Sequence, residues 1–127
     1  MAAEIYNLDI LQSNIENDST NTTRFLIMGK EQIIPGNDGS AFITSLVFEL
    51  KHIPSALYKS LGGFATNGLN LNKIESYVIG GNFVSAQFYI EIEAHPHSKA
   101  YKNAIAELEF YSQSIEWLGT YKKQQRF

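Results

Sequence analysis

Residues 54–76, PSALYKSLGGFATNGLNLNKIES, decide the fold. Pro54 is pre-set for the first turn of a helix, where its missing N–H costs nothing. Leu57, Leu61, Phe64 and Ala65 recur at i, i+4, i+7 and i+8, an apolar stripe on the helical period. Asn67-Gly68 then supplies a residue that tolerates positive φ, the usual helix stop. Leu69 to Ser76 follows as a strand. The unit is therefore a helix, a turn and a strand that has to pair with something.

What lies on either side supplies the partners. Ala41 to Leu50 alternates, with Phe42, Leu46, Phe48 and Leu50 on one side and Ile43, Ser45, Val47 and Glu49 on the other. Gly80-Gly81-Asn82 predicts a tight hairpin into a strand over Phe83–Ala94, where Val84, Ala86, Phe88, Ile90 and Ile92 share a face. Pro96 ends that strand and Ser98 is a candidate N-cap. Tyr101, Ala104, Ile105, Leu108 and Tyr111 give the second helix its stripe, and Ser114–Tyr121 reads as a last strand. The order from Ala41 is β-α-β-β-α-β. Right-handed crossovers put both helices on one face of a four-stranded antiparallel sheet, a ferredoxin-like α+β sandwich. Upstream, Ala2–Gln12 reads as a helix through Ile5, Leu8 and Leu11, Ser13–Asn21 as a polar connection and Thr22–Met28 as a strand. Gly29–Ser40, with Pro35-Gly36 and Asp38-Gly39, reads as the linker. The expected division is 1–28, 29–40 and 41–122, with a polar tail after it.

Composition narrows the function. The chain has 127 residues, 44% hydrophobic and 13% aromatic, which suits one globular domain with an appendage. A net charge of −3 argues against a nucleic-acid partner. The third-strand signature of RNA-recognition domains, which share this strand order, is met in IGGNFVSA only at Gly80, Phe83 and Val84. The absence of cysteine removes disulfides, thiolate metal sites and thiol catalysis together. No apolar run approaches the ~20 residues of a membrane span. The first residues lack the pattern of a signal peptide, so the expected compartment is the cytoplasm.

The catalytic constellations are sparse. His52, His95 and His97 are the histidines, and His95-Pro96-His97 sits at a strand–helix turn with no carboxylate pattern to complete a metal site. These read as exposed turn histidines, with no metal and no cofactor. Glu91 and Glu93, at i and i+2, read as a solvated edge. No P-loop and no GxGxxG motif occurs.

Specific motifs point instead to a binding module. Pro54-Ser55-Ala56-Leu57 is similar to a Pro-Gly-Ala-Leu motif, and Gly68-Leu69-Asn70-Leu71-Asn72-Lys73-Ile74-Glu75-Ser76-Tyr77-Val78 to Gly-Ile-Asn-Leu-Thr-Lys-Ile-Glu-Ser-Arg-Pro. FYIEIEAH and Leu118-Gly119-Thr120-Tyr121 match a third strand and a Leu-Gly-Ser-Tyr ending. Together they resemble the ACT domain that regulates prephenate dehydratase, the enzyme of phenylalanine biosynthesis. Asn21-Thr22-Thr23-Arg24-Phe25 resembles the Asn-x-Thr-Arg-Phe motif closing the catalytic domain of that enzyme. The resemblance implies Thr23 as the hydroxyl of dehydration, with Arg24 and Phe25 shaping the site. It implies an effector pocket from Pro54, Ser55, Ala56 and Leu57 on one lip and Asn70, Leu71, Glu75 and Ser76 on the other.

The implied ligand is L-phenylalanine or a similar amino acid, bound between two copies of the chain. The outer sheet face, with Phe83, Tyr89 and Trp117, is the expected contact. Two landmarks are altered: Ser55 stands for Gly, and Tyr77-Val78 for Arg-Pro. By the resemblance most of the catalytic fold is missing, and an isolated Thr cannot position and ionise a substrate. No dehydratase activity is expected of the chain by itself. The alternatives are a dimerisation or interaction module that binds no effector, or a chain whose catalytic half is supplied separately.

Overall fold

The computed structural model describes residues 2–13, 23–79 and 85–124, which fall into two compact units, 1–30 and 31–127. In the first, helix α1 spans only Ala2–Ile5. It stops because Asn7 takes a left-handed conformation (φ 51°). Leu8 N–H then donates to Ala3 O at 2.8 Å, closing the turn that ends helices. The apolar spacing that predicts a helix to Gln12 is overridden by this one residue, since Asn tolerates positive φ better than most. Residues 23–28 form no strand. A strand exists by backbone pairing in a ladder, and no described strand forms one with these residues.

The second unit is the predicted sandwich. Strands β1 (Phe42–Leu50), β2 (Leu71–Ile79), β3 (Ser85–Ile92) and β4 (Ser112–Lys122) form one antiparallel sheet in the order β2-β3-β1-β4. Helices α2 (Ala56–Thr66) and α3 (Lys99–Tyr111) cover one face. The core contains Leu46 and Phe48 of β1, Phe88, Ile90 and Ile92 of β3, Phe64 of α2, and Tyr101, Ala104 and Leu108 of α3. Phe48 and Phe88 are cross-strand partners with stacked rings, centroids 5.4 Å apart. Burial pushes the Tyr101 hydroxyl up to about 12. The hairpin turn Gly80-Gly81-Asn82, Phe83 and Val84 lie outside the described residues. No helix among the described residues is long and apolar enough to cross a membrane.

Each helix shows why its ends fall where they do. Ser98 caps α3 from an extended backbone, its Oγ accepting from Tyr101 N at 3.3 Å. α2 ends in a Schellman turn. Gly68 takes φ 67°, its N–H donates to Ala65 O, and Leu69 N–H donates to Phe64 O at 2.9 Å.

The buried face of α2 differs from the predicted stripe. It consists of Ala56, Ser60, Gly63 and Phe64, while Leu57 is 37% exposed and Ala65 is on the surface. Small residues win the inward positions because α3 comes close. A Cβ on Gly63 would stand 3.0 Å from Glu107 Cβ. Trp117 also departs from expectation. It pairs with Leu46 in register, and its indole N–H donates to Thr120 Oγ1 at 3.2 Å, so it lies on the helix side of edge strand β4. A register shift between Ser45 and Leu46 produces this.

The neighbouring glycines of α2 give a direct test of this packing. Gly62 has open space where a Cβ would go. Gly62→Ala is expected to stabilise by about 0.5–1 kcal/mol through helix propensity. Gly63→Leu is expected to destabilise by about 1–3 kcal/mol through overpacking against α3. Urea midpoints of the two variants check this, and a stabilising Gly63→Leu would rule out the close helix approach.

Candidate functional site

The path from β1 into α2 is tied down before it turns. Lys51 N–H donates to Tyr111 O at 2.9 Å, and its ammonium to Phe110 O at 2.7 Å. Ala56 N–H donates to Ile53 O at 3.2 Å, closing a four-residue turn. Pro54 holds the second position and Ser55 the third, at φ 58°, ψ 27°. That is the geometry of a type II turn, whose third position favours glycine because it requires positive φ. Ser55 also caps α2 by backbone, accepting from Lys59 N at 3.0 Å. Its side chain makes no cap hydrogen bond. The first turn of α2 is therefore an anion-favouring helix N-terminus not closed by its cap side chain. Pro54, Ser55 and Leu57 are on the surface there, and Ala56 packs inward.

The second group begins where α2 ends. Asn70 is exposed, and its carbonyl accepts from Glu93 N at 2.9 Å. Leu71 is half-buried opposite Ile92. Glu75 and Ser76 are exposed halfway along β2, opposite Tyr89 and Phe88. Glu75 is engaged within its own strand. Tyr77 Oη donates to Glu75 Oε2 at 2.5 Å, and Lys73 Nζ lies 2.9 Å from Oε1. Both hold the Glu75 carboxyl below the usual range, Tyr77 first, and Glu75 in turn raises Tyr77 and Lys73. Tyr77, at the expected Arg position, thus keeps a partner for Glu75 but without a cation's charge.

One chain does not bring the two groups together. Pro54–Leu57 stands at the start of α2 and Asn70–Leu71 beyond its end, about 16 Å away by the rise of an 11-residue helix. β2, which carries Leu71, Glu75 and Ser76, is an edge of the sheet. Thr23, Arg24 and Phe25 belong to the first unit and are exposed, Phe25 by 85%.

The titratable residues differ from their sequence reading in two places. His95 is buried, 4% exposed. Its Nδ1 accepts from His97 N at 3.1 Å, so Nε2 carries the proton it shares with Pro35 O at 2.7 Å. Its ring lies edge-on to Phe42 at 4.8 Å. It is a structural clip, and no group of three metal-capable side chains occurs among the described residues. Glu91 is buried, 1% exposed, where a solvated edge was expected. Tyr89 Oη donates to its Oε1 at 2.8 Å and lies 3.3 Å from Ser45 Oγ, on the helix-free face. Burial first, and Glu91 besides, raises Tyr89. The sequence offered one sign of the His95 clip, a histidine wedged between a strand end and Pro96. Nothing in the sequence marked Ser55 as left-handed except the Gly of the motif it resembles.

Comparison with known proteins adds the following. The family model for prephenate dehydratase matches residues 1–33. A bifunctional N-acyl-homoserine lactone acylase/prephenate dehydratase of Komagataeibacter europaeus is 41% identical over 121 residues, covering 95% of this chain and 43% of that protein. Arogenate dehydratase/prephenate dehydratase 1 of Arabidopsis thaliana, a chloroplastic protein, is 40% identical over 134 residues, covering 94% of this chain and 34% of that one. The chain thus spans less than half the length of these relatives. Among solved structures, prephenate dehydratase from Arthrobacter aurescens in complex with L-Phe superposes with a TM-score of 0.64 at 30% identity, covering 73% of this chain and 30% of that one.

The left-handed Ser55 gives a measurable consequence. Positive φ costs a residue with a Cβ about 1–2 kcal/mol, part of which glycine returns through its freer unfolded state. Ser55→Gly is expected to stabilise by about 0.5–1 kcal/mol, seen as a higher denaturation midpoint at unchanged slope. Loss of stability in that variant would mean that the turn is not of this type.

Proposed function

We infer, from a chain that corresponds to the C-terminal part of the prephenate dehydratases, that residues 41–122 are an ACT-type regulatory domain sensing L-phenylalanine. The observation that carries this reading is the placement of the candidate pocket residues at opposite ends of α2, beside an open sheet edge. A two-fold pairing of β2 with the same strand of a second copy reverses its direction. The Asn70 end of one chain then lies beside the α2 N-terminus of the other. The two lips meet across the dimer. The ligand's carboxylate suits the open first turn of α2, where backbone N–H groups and the helix dipole favour an anion.

The edge itself favours such pairing. Ile74, Tyr77 and Val78 of β2 are 45%, 50% and 59% exposed, apolar side chains on both faces of a strand with one open edge. The dimer contact is thus assigned to the β2 edge, since Trp117 lies on the opposite edge of the sheet. Residues 1–28 read as the end of the catalytic domain, with Thr23, Arg24 and Phe25 completed by the remainder of a dehydratase fold. Phe25, Ile27 and Met28 are 85%, 103% and 90% exposed, which suits docking on a catalytic chain. The reading places the chain in the cytoplasm. Ser55 and Tyr77 favour a second reading, a dimerising module that has lost its effector.

Calorimetry and sedimentation on the whole chain separate these. The sensor reading expects a dimer at tens of micromolar and L-phenylalanine binding at about 1 mM or tighter. Ala56→Trp is expected to abolish binding and keep the dimer, whereas Ile74→Lys is expected to lose both. A dimer silent to every amino acid supports the second reading. A monomer that binds phenylalanine fully would overturn the shared pocket.

A further inference from the structure

The segment between residue 30 and β1 lies against the sheet without being part of it. Residues 31–40 are exposed except for half-buried Pro35. An open hollow of about 380 Å³ separates Asn37, Gly39 and Ser40 from Leu69, Ala94 and Ser98. Side-chain packing therefore does not seat this segment. Polar tethers do. Pro35 O takes the His95 imidazole N–H at 2.7 Å. Asp38 accepts Lys122 Nζ at 2.6 Å and Ser40 N–H at 3.0 Å, and Lys122 first and then Ser40 hold its carboxyl far below the usual range. Lys123 N–H donates to Ala41 O at 2.8 Å.

One of these tethers ends on the turn Glu93–His95, which also holds the Asn70 lip. The others end on Lys122 and Lys123, of which Lys123 pairs with Glu93 of that turn. Glu93 N–H donates to Asn70 O at 2.9 Å. The Glu93 carboxylate pairs with the Lys123 ammonium. That ammonium first, and the Asn72 and Asn70 side chains after it, hold the carboxyl below the usual carboxylate range. Two residues on is His95, the clip on Pro35. The turn between them is fixed to the central strand. Buried Thr44 donates its hydroxyl to Ala94 O at 2.7 Å. One rigid turn thus holds the Asn70 lip by one side and the segment leading back to residue 30 by the other.

We propose that residues 35–40 are a strap whose seating is coupled to the Asn70 lip through the Glu93–His95 turn and Lys122–Lys123. Resting on the sensor reading above, this makes the strap the element by which an occupied effector pocket is felt in the chain preceding β1. The coupling runs through contiguous hydrogen bonds and ion pairs, and its physical test is whether disturbing one end moves the other.

The test is ¹⁵N relaxation on the whole 127-residue chain, reading order parameters of Gly36–Ser40. The seated strap is expected near the rigid value of about 0.85, and a released one below about 0.6. Asp38→Asn, which cuts a tether directly, calibrates the released state. Without ligand, Glu93→Gln and Asn70→Ala are both expected to lower the strap values while α3 keeps its own. Strap values unchanged in both variants overturn the coupling whether or not phenylalanine binds. In the wild type, saturating L-phenylalanine is expected to shift the same amides. If calorimetry shows no binding while the variants release the strap, the sensor reading fails and the coupling stands. If phenylalanine binds and the strap stays indifferent to it and to both variants, the coupling fails and the sensor stands.

Discussion

Two helices lying side by side on a sheet can approach only as closely as their facing side chains allow, and in this protein Gly63 sets that distance. With Glu107 Cβ 3.0 Å from where a Gly63 Cβ would be, α2 must turn its smallest residues toward α3. Ala56, Ser60 and Gly63 go inward, leaving Phe64 as the one large anchor α2 buries in the core. The rotation that follows leaves Leu57 partly on the surface. The lip of the candidate pocket is thus a by-product of how the core is packed. Close helix packing also positions Asn67, whose side-chain carbonyl accepts from Asn103 Nδ2 at 3.3 Å at the far end of the same contact.

Most of the fold is legible in the sequence because the strands alternate and the helices carry explicit stops. Phe88, Ile90 and Ile92 lie on the predicted face, Ser98 caps as expected, and Gly68 takes the left-handed conformation that Asn67-Gly68 announced. The failures share a physical cause. Periodicity counts large apolar residues and cannot see that a close helix contact prefers small ones, so Leu57 and Ala65 are misassigned. It cannot see that Asn7 ends α1, nor that no strand among the described residues takes residues 23–28 into a sheet. The burial of Glu91 and His95 was also illegible, since each depends on a neighbour distant in sequence: Ser45 beneath Tyr89, and Pro35 against the imidazole. The candidate lip residues rest on the resemblance, not on pattern or spacing. Their separation along α2 is a fact of geometry that no motif contains.

The two serine caps make a natural comparison. Ser98 sits in an extended conformation with its hydroxyl on Tyr101 N–H, and α3 starts without strain. Ser55 has the same side chain in a left-handed backbone, and its hydroxyl caps nothing. Backbone strain of this kind persists only where the surroundings over-determine it. Here the surroundings are Pro54, which fixes the turn's second position, and Lys51, whose two hydrogen bonds to the end of α3 fix the approach.

The strand order carries a consequence in time as well as in space. β1, the first strand of the sheet to leave the ribosome, has as neighbours β3 and the last strand, β4. From Phe42 to Leu50 its second edge therefore waits, apolar and unpaired, until Ser112–Lys122 has been made. Such an edge is what misassembling chains seize. The buried Thr44 waits too, since the Thr120 hydroxyl it meets at 2.9 Å arrives only with β4, the last strand of the sheet in chain order. A chain made only as far as Tyr111 would hold most of its core residues with β1 still open along one edge to any other chain.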